Sequence, residues 1–394
     1  MTTAVRHVYV HAPFCRRRCV YCDFAVHVSA SPDGDAWLGA IEMENALLRE
    51  GGIGVAAPLE TLYVGGGTPS VLPPSVLRRL ARIWDVGPDG NSQLEWTAEA
   101  NPESFCDEVA RAWATAGVNR ISFGAQTFSK EALRWMGRLH TPDDVDDAVG
   151  RARDHGVSNL SVDLILGLPN SVDRSWDEDL DRVLALDVPH VSVYGLTVEP
   201  GTHLHHQVSQ GRTPPPSDER YREEYLRARE GLAGAGYLHY EVSNFARPGY
   251  ESRHNTAYWT RVPYVGLGNG AHSFVDGRRW WNHRSWPDYL ASVGVGRLPR
   301  AGEEEPTDEQ AVLEDLWLSL RTSRGLVLPA DGGARALMRV WVNRGLADLE
   351  DGRVRLTGEG WLLLDDLVVE LHEVVERGRD AGAGALTGGR TGRF

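Results

Sequence analysis

The sequence predicts an α/β protein built on a parallel sheet. Three observations carry this. Apolar runs at Arg6–His11, Leu59–Val64, Leu94–Ala100, Arg120–Ala125, Asn159–Leu164 and His190–Leu196 read as strands. Segments of helical period separate them, at Trp37–Arg49, Pro73–Trp84, Glu103–Ala116, Pro142–His155 and Ser175–Leu186. Polar residues gather where the strands end. Strands alternating with helices imply parallel pairing through right-handed crossovers. A six-fold repeat of this kind fits an incomplete barrel, and a doubly wound open sheet is the alternative.

Composition narrows the class. The chain has 394 residues, enough for two or so domains with a sizeable core. Its formal net charge of −14 disfavours a nucleic-acid backbone as partner. No apolar run reaches the length of a membrane span. The start, Met-Thr-Thr-Ala-Val-Arg-His7, lacks an apolar secretion segment. A cytoplasmic, reducing setting is therefore expected, in which thiols stay free.

Three of the four cysteines, Cys15, Cys19 and Cys22, fall just after the first strand with the spacing C-x3-C-x2-C. Three thiolates from one short loop suit a cubane iron–sulfur cluster. Four irons with three protein ligands leave one iron open to a small molecule. A zinc knuckle with His11 or His27 as fourth ligand is the competing reading, although structural zinc usually draws on two separated ligand pairs. The remaining Cys106 lies in Ser104-Phe-Cys-Asp-Glu and reads as a helix residue packed against the sheet.

Each strand end then adds a polar group. Glu99 ends the third strand, Gln126 follows the fourth, and Asp163 lies in the fifth. Any one alone reads equally well as a helix cap. Together with the cysteine loop they point to one shared site at the carboxyl ends of the strands, where barrels gather their ligand chemistry. The second strand ends in Gly65-Gly66-Gly67-Thr68-Pro69, which lets backbone N–H groups approach a ligand closely. Arg138 follows a helical Glu131–Met136 segment, and its planar fork suits a carboxylate.

Beyond the sixth strand, Asp218–Gly234 reads as a charged, solvated helix. An aromatic and polar segment follows, with His254-Asn-Thr-Ala-Tyr-Trp259, the glycine-rich Tyr264–Ser273 containing His272, and Trp280-Trp281. Histidine among aromatics can enclose a flat macrocycle and ligate its iron, and aromatic core packing is the plainer alternative.

These motifs, in this order, resemble the radical S-adenosylmethionine (SAM) superfamily. They are most similar to the branch that holds oxygen-independent coproporphyrinogen III oxidases and the HemW heme chaperones. The resemblance runs from about Tyr9 to about Leu371. It implies an incomplete (β/α)6 barrel carrying a [4Fe-4S] cluster on Cys15, Cys19 and Cys22. It also implies SAM held on the open iron, whose reductive cleavage in the superfamily yields a carbon radical. SAM contacts implied by resemblance are Tyr9, Tyr21, Gly66, Gly67, Thr68, Glu99, Gln126, Arg138 and Asp163, with Thr197 a weaker addition. The string H-N-x-x-Y-W matches the heme motif of the HemW group and implies His254 as heme ligand, with His272 in reserve.

The domain organisation expected is a barrel core over 1–235, an extension over 236–300 bearing the aromatic segment, and a small α+β winged-helix-like domain over 301–376. The last consists of helices at Glu309–Ser319 and Gly332–Asn343, a strand at Arg353–Leu356 and a helix at Gly358–Val375. The Gly-rich 377–394 is expected to be disordered.

Two features separate the branches. The oxidases carry a fourth cysteine two residues past the third, where this chain has Phe24, and a long N-terminal extension, where only eight residues precede Tyr9. Both departures favour a heme chaperone that passes heme to acceptor hemoproteins or respiratory cytochromes. They disfavour an oxidase of porphyrin biosynthesis. Peripheral membrane contact and a homodimer are compatible with this reading.

Overall fold

The computed structural model describes residues 3–87, 93–328 and 332–387, with side chains through Arg377. The chain divides into two compact units, Met1–Leu238 with Ser243–Glu305, and His239–Val242 with Pro306–Phe394.

The first unit is built on six parallel strands: β1 (His7–Ala12), β2 (Thr61–Gly66), β3 (Glu95–Ala100), β4 (Arg120–Gln126), β5 (Asn159–Leu166) and β6 (His190–Gly195). Each pairs in parallel with its sequence neighbour. The order never reverses, so there is no switch point and the doubly wound alternative falls. Helices fill the crossovers, among them α1 (Gly34–Glu50), α2 (Val76–Leu80), α3 (Asp107–Ala116), α4 (Lys130–Met136), α5 (Pro142–Asp154) and α6 (Trp176–Ala185). Local chemistry sets their ends. Thr141 and Asp144 form a capping box around Pro142 at the start of α5, and Gly117 closes α3 in the left-handed region at φ 103°. The expected Pro73–Trp84 helix is only α2 plus a short 3-10 turn at Ala81–Ile83.

Within these strands the side chains alternate strictly in chemistry. Val8, Val10, Leu62, Val64, Trp96, Ala98, Ile121, Phe123, Leu160, Val162, Val191 and Val193 are buried on one side. The other side carries His7, Tyr9, His11, Thr61, Tyr63, Glu95, Thr97, Glu99, Arg120, Ser122, Ser161, Asp163, His190, Ser192 and Tyr194. Since side chains in a strand alternate between faces, the helices cover the first set and the second fills the barrel. Apart from Ile165 beside the cavity, this inward set is polar, which is costly unless every group is paired or meets a ligand.

The stretch after α7 (His203–Ser209) and α8 (Asp218–Gly234) extends this sheet and does not form a separate domain. β7 (Asn244–Ala246) pairs antiparallel to β6. After α9 (Arg253–Trp259), β8 (Tyr264–Leu267) pairs in parallel with β1 on the other edge. β9 (His272–Val275) and β10 (Arg278–Asn282) follow, then α10 (Trp286–Gly294) and β11 (Arg300–Glu304), the strands joining antiparallel in turn. Because β11 pairs with β10, residues 301–305 belong to the first unit. The expected boundary at 300 moves to Glu305.

In the second unit, α11 (Asp308–Leu320), β12 (Leu326–Val327), α12 (Gly332–Asn343), β13 (Ala347–Glu350), β14 (Arg353–Leu356), α13 (Gly358–Leu362) and α14 (Leu364–Thr387) surround a three-stranded antiparallel sheet in the order β12-β14-β13. Leu320, Met338, Trp341, Val354 and Leu371 are buried in its core. Two of its strands, β12 and β13, escape the sequence reading. α14 also runs on to Thr387, eleven residues into the stretch read as disordered. Extending a formed helix avoids the nucleation cost. The rest of that stretch, 388–394, lies outside the described residues. No helix among the described residues is long and apolar enough to cross a membrane.

Candidate functional site

A cavity of about 380 Å³ opens at the carboxyl ends of the barrel strands. Cys15, Cys19 and Cys22 line it, from the loop that leaves β1. Tyr21, Gly66, Gly67, Thr68, Glu99, Gln126, Arg138, Asp163 and Thr197 also line it, so the structure gathers nearly all the expected SAM contacts around one space. Tyr9 is the exception. It lies deeper in the barrel, stacked on Tyr63 at 5.9 Å, with its hydroxyl 3.0 Å from His11 Nδ1. Tyr63 occupies the wall position instead. Ser122, Asn101 and Tyr194 also line the cavity and were not singled out from the sequence.

The glycine run is required by close approach. Gly66 has φ 106°, and a Cβ there would lie 2.2 Å from the His11 ring. At Gly67 a Cβ would come within 2.7 Å of the Ala12 carbonyl. Gln126 also adopts a positive φ, 69°, at a register shift that ends β4. A non-glycine residue in this region is strained, and such strain collects at functional sites.

Two carboxylates face the space. Glu99 accepts from the Tyr63 hydroxyl at 2.7 Å and from the Gly66 N–H at 2.9 Å. Asp163 accepts from Ser122 Oγ at 3.0 Å. Burial pushes both carboxyls above their ordinary pKa. The hydrogen bonds, and the charge of Arg120 deeper in the barrel, work against that rise. Two carboxylates beside an open cavity suit a cationic ligand.

The cysteines meet fixed donors. Cys15 Sγ lies 3.4 Å from Thr68 Oγ1, and Cys19 Sγ accepts from Arg138 Nη1 at 3.7 Å. All three thiols are free, and burial raises the pKa of Cys15 to about 11. Arg138 is anchored by Asn101 Oδ1 at 2.8 Å and the Gly124 carbonyl at 2.6 Å. Burial opposes its charge, but Tyr21, Cys19 and Glu103 around it raise its pKa above the ordinary value. Glu103 stays below its ordinary value despite burial, held there by His140 and Arg138.

This donor set fits a cubane better than zinc. Among the described residues, no three His, Cys, Asp or Glu groups close around a single ion. A cubane needs no such convergence, because each thiolate binds a different iron. His11 is committed to Tyr9 and to the Ala25 carbonyl at 3.1 Å, and His27 is exposed in a short strand. Cys106 is exposed at the N-cap of α3, not packed against the sheet, and does not line the cavity.

The expected heme ligand lies elsewhere. His254, on α9, is 1% exposed, with Nδ1 2.6 Å from Thr61 Oγ1 and Nε2 2.8 Å from the Tyr258 hydroxyl. The backbone N–H groups of Arg253 and His254 bind the Glu95 carboxylate at 2.9 and 3.0 Å. Thr61 and Glu95 are the first residues of their strands, so α9 closes the barrel at the end opposite the cysteines. Tyr63 packs 5.1 Å from the His254 ring and lies between it and the cavity. Burial lowers the His254 pKa to about 3. Both ring nitrogens are engaged within the protein, and the motif forms the barrel's floor. His272 is different. It is exposed at the start of β9 and stacks on Trp281 at 5.9 Å. Asn269, three residues earlier, donates to the Ala25 carbonyl of the cysteine loop at 2.9 Å. His272 therefore stands on the rim of the cysteine end.

Comparison with known proteins agrees with this geometry. The profile of the radical SAM superfamily matches residues 9–183. Coproporphyrinogen III oxidase (HemN) of Escherichia coli, a radical SAM enzyme, has the same fold with a TM-score of 0.77 at 23% identity, over 94% of this chain and 90% of that one. The fold and the cysteine cavity are those of a radical SAM protein. The chain is 34% identical to the heme chaperone HemW of Bacillus subtilis (strain 168) over 91% of its own length and 97% of the relative's. It is 37% identical to HemW of Mycobacterium tuberculosis, over 92% and 93%. Within the radical SAM superfamily, it belongs to the HemW family.

Proposed function

We propose that this protein is a heme chaperone with a radical-SAM core, which binds heme and passes it to acceptor hemoproteins. The observation that carries this reading is the similarity to HemW chaperones along more than nine-tenths of the chain. Cys15, Cys19 and Cys22 hold a [4Fe-4S] cluster, and the cavity beside them holds SAM. When bound, the cluster supplies an electron and an open iron site for SAM. The chain's own part is to orient the ligand and exclude water. Glu99 and Asp163 offer negative charge to the ligand's cationic groups, the Gly66–Gly67 turn presents backbone at close range, and Gln126, Arg138 and Thr197 complete the wall.

Heme goes to the rim. His272 is an exposed imidazole whose pKa burial lowers, and Trp281 lies beside it. A neutral imidazole has the lone pair that iron needs. Phe24 is 60% exposed and lines the cysteine cavity, at the position where the oxidases carry cysteine. In this reading the protein works in the cytoplasm, and respiratory cytochromes are among its acceptors.

The test is an anaerobic assay of cluster-reconstituted protein with coproporphyrinogen III, SAM and a reductant. No protoporphyrinogen is expected. Its steady formation would transfer the whole reading to the oxidase.

A further inference from the structure

We propose that Asn101 sets the reduction potential of the cluster by holding two donors, Thr68 and Arg138, against the sulfurs of Cys15 and Cys19. This rests on the cluster reading above. Asn101 follows the end of β3, and its hydrogen-bond partners are Ser70, Thr68, Glu103, Ser104 and Arg138 rather than a cysteine. Its Nδ2 donates to Thr68 Oγ1 at 3.3 Å and to Glu103 Oε1 at 3.2 Å. Its Oδ1 accepts from Arg138 Nη2 at 2.8 Å. The amide can sit only one way round. Guanidinium has no acceptor to offer, so Oδ1 must face it, and the Glu103 carboxylate accepts, so Nδ2 must face that.

The consequence reaches both sulfurs. With its lone pair taken by Asn101, the Thr68 hydroxyl keeps its proton free for Cys15 Sγ, 3.4 Å away. A thiolate on iron cannot donate, so Thr68 is the donor in the loaded protein. With Nη2 tied to Asn101 and the Gly124 carbonyl, Arg138 keeps Nη1 on Cys19 Sγ at 3.7 Å. Asn101 is itself rigid. Its N–H donates to Ser70 Oγ at 3.2 Å, its carbonyl accepts from the Ser104 hydroxyl at 3.1 Å, and the two serines bond at 2.6 Å.

Reduction adds an electron to the cluster and raises the negative charge on its sulfurs. Donors aimed at the sulfurs stabilise that form and raise the potential. Asn101 is thus a positioning residue that acts through two others, one on each of two cluster ligands.

The measurement is a redox titration of anaerobically reconstituted protein, followed by electron paramagnetic resonance without SAM, with iron and sulfide counted on the same samples. At the potential where the wild-type cluster is half reduced, Asn101→Ala should lower the reduced-to-oxidised ratio about tenfold, or about 59 mV for one electron. Thr68→Val should lower it in the same direction, and Thr68→Ser should restore the wild-type value. A wild-type potential in Asn101→Ala at full iron content overturns the proposal. If Asn101→Ala assembles no cluster, the Thr68 pair decides: a lower potential in Thr68→Val than in Thr68→Ser supports it, and equal potentials overturn it. A wild-type protein that assembles no cluster at all would instead refute the cluster reading.

Discussion

Removing Glu99 in two ways separates its structural part from its part in binding. Glu99 is the acceptor for both the Tyr63 hydroxyl and the Gly66 N–H. Glu99→Ala leaves both donors without a partner. An unpaired buried donor costs about 1–3 kcal/mol, and water entering the cavity offsets part of it, so a stability loss of about 2–3 kcal/mol is expected. Glu99→Gln is gentler. Its oxygen can take the Gly66 N–H while its amide donates to the Tyr63 hydroxyl oxygen, so stability should stay within about 1 kcal/mol of wild type. What Gln removes is the charge. A charge-assisted hydrogen bond to a cationic ligand group is worth about 1.5–3 kcal/mol, which is roughly a tenfold to hundredfold weaker Kd for SAM. Denaturant unfolding of the apo protein and calorimetry with SAM on the reconstituted protein give the two numbers. Glu99→Gln with wild-type affinity would refute the assignment of Glu99 to the ligand, and Glu99→Ala with wild-type stability would refute its role in holding the Gly66 turn.

Replacing Cys15, Cys19 or Cys22 with Ala should remove most iron and sulfide, while Cys106→Ala keeps both; iron counting and the visible charge-transfer band check this, and full retention in the loop variants contradicts it. Glu44 is fully buried, takes hydrogen bonds from the Gly268 N–H, Tyr289 and Asn282, and has its pKa raised by burial to about 7. The folded state therefore holds a proton that the unfolded chain releases at its lower pKa. Its contribution is complete below about pH 4.5 and is lost as pH rises through about 7, roughly 3 kcal/mol in all. Glu44→Gln should flatten that part of the stability profile, and an unchanged slope in pH-dependent unfolding would count against it. In heme titrations followed by absorbance, His272→Ala should lower stoichiometry or shift the Soret band. His254→Ala should lower the melting temperature and leave the heme spectrum alone, and the reverse pattern would return the ligand to His254.

The barrel was legible because its strands announce themselves as apolar runs separated by helices of the right period. The alternation inside them, with Thr97 and Glu99 on one face of β3 and Trp96 and Ala98 on the other, marks a polar interior more clearly than the strand ends do, and reading the strands as apolar runs passes over it. The cysteine spacing and the glycine run likewise placed the cavity, since both are local. The floor was not legible. That α9 meets Thr61 and Glu95 depends on the chain returning across 193 and 159 residues, and a His-aromatic string reads alike as a cofactor pocket or a plug. Asn101 was overlooked because a single amide before a proline looks like a turn. Only the pairing of β2 with β3, and the return of the chain at Arg138, brings its partners within reach.

The central claim is transfer, and a transfer experiment tests it most directly. The heme-loaded, cluster-reconstituted protein is mixed with an apo-hemoprotein whose holo form has a distinct Soret band, and the two are separated and their spectra recorded over time. The account predicts that heme leaves this protein and appears in the acceptor faster than from a noncognate heme carrier such as albumin. Heme that stays bound to this protein, or that reaches the acceptor no faster than from the noncognate carrier, would contradict it.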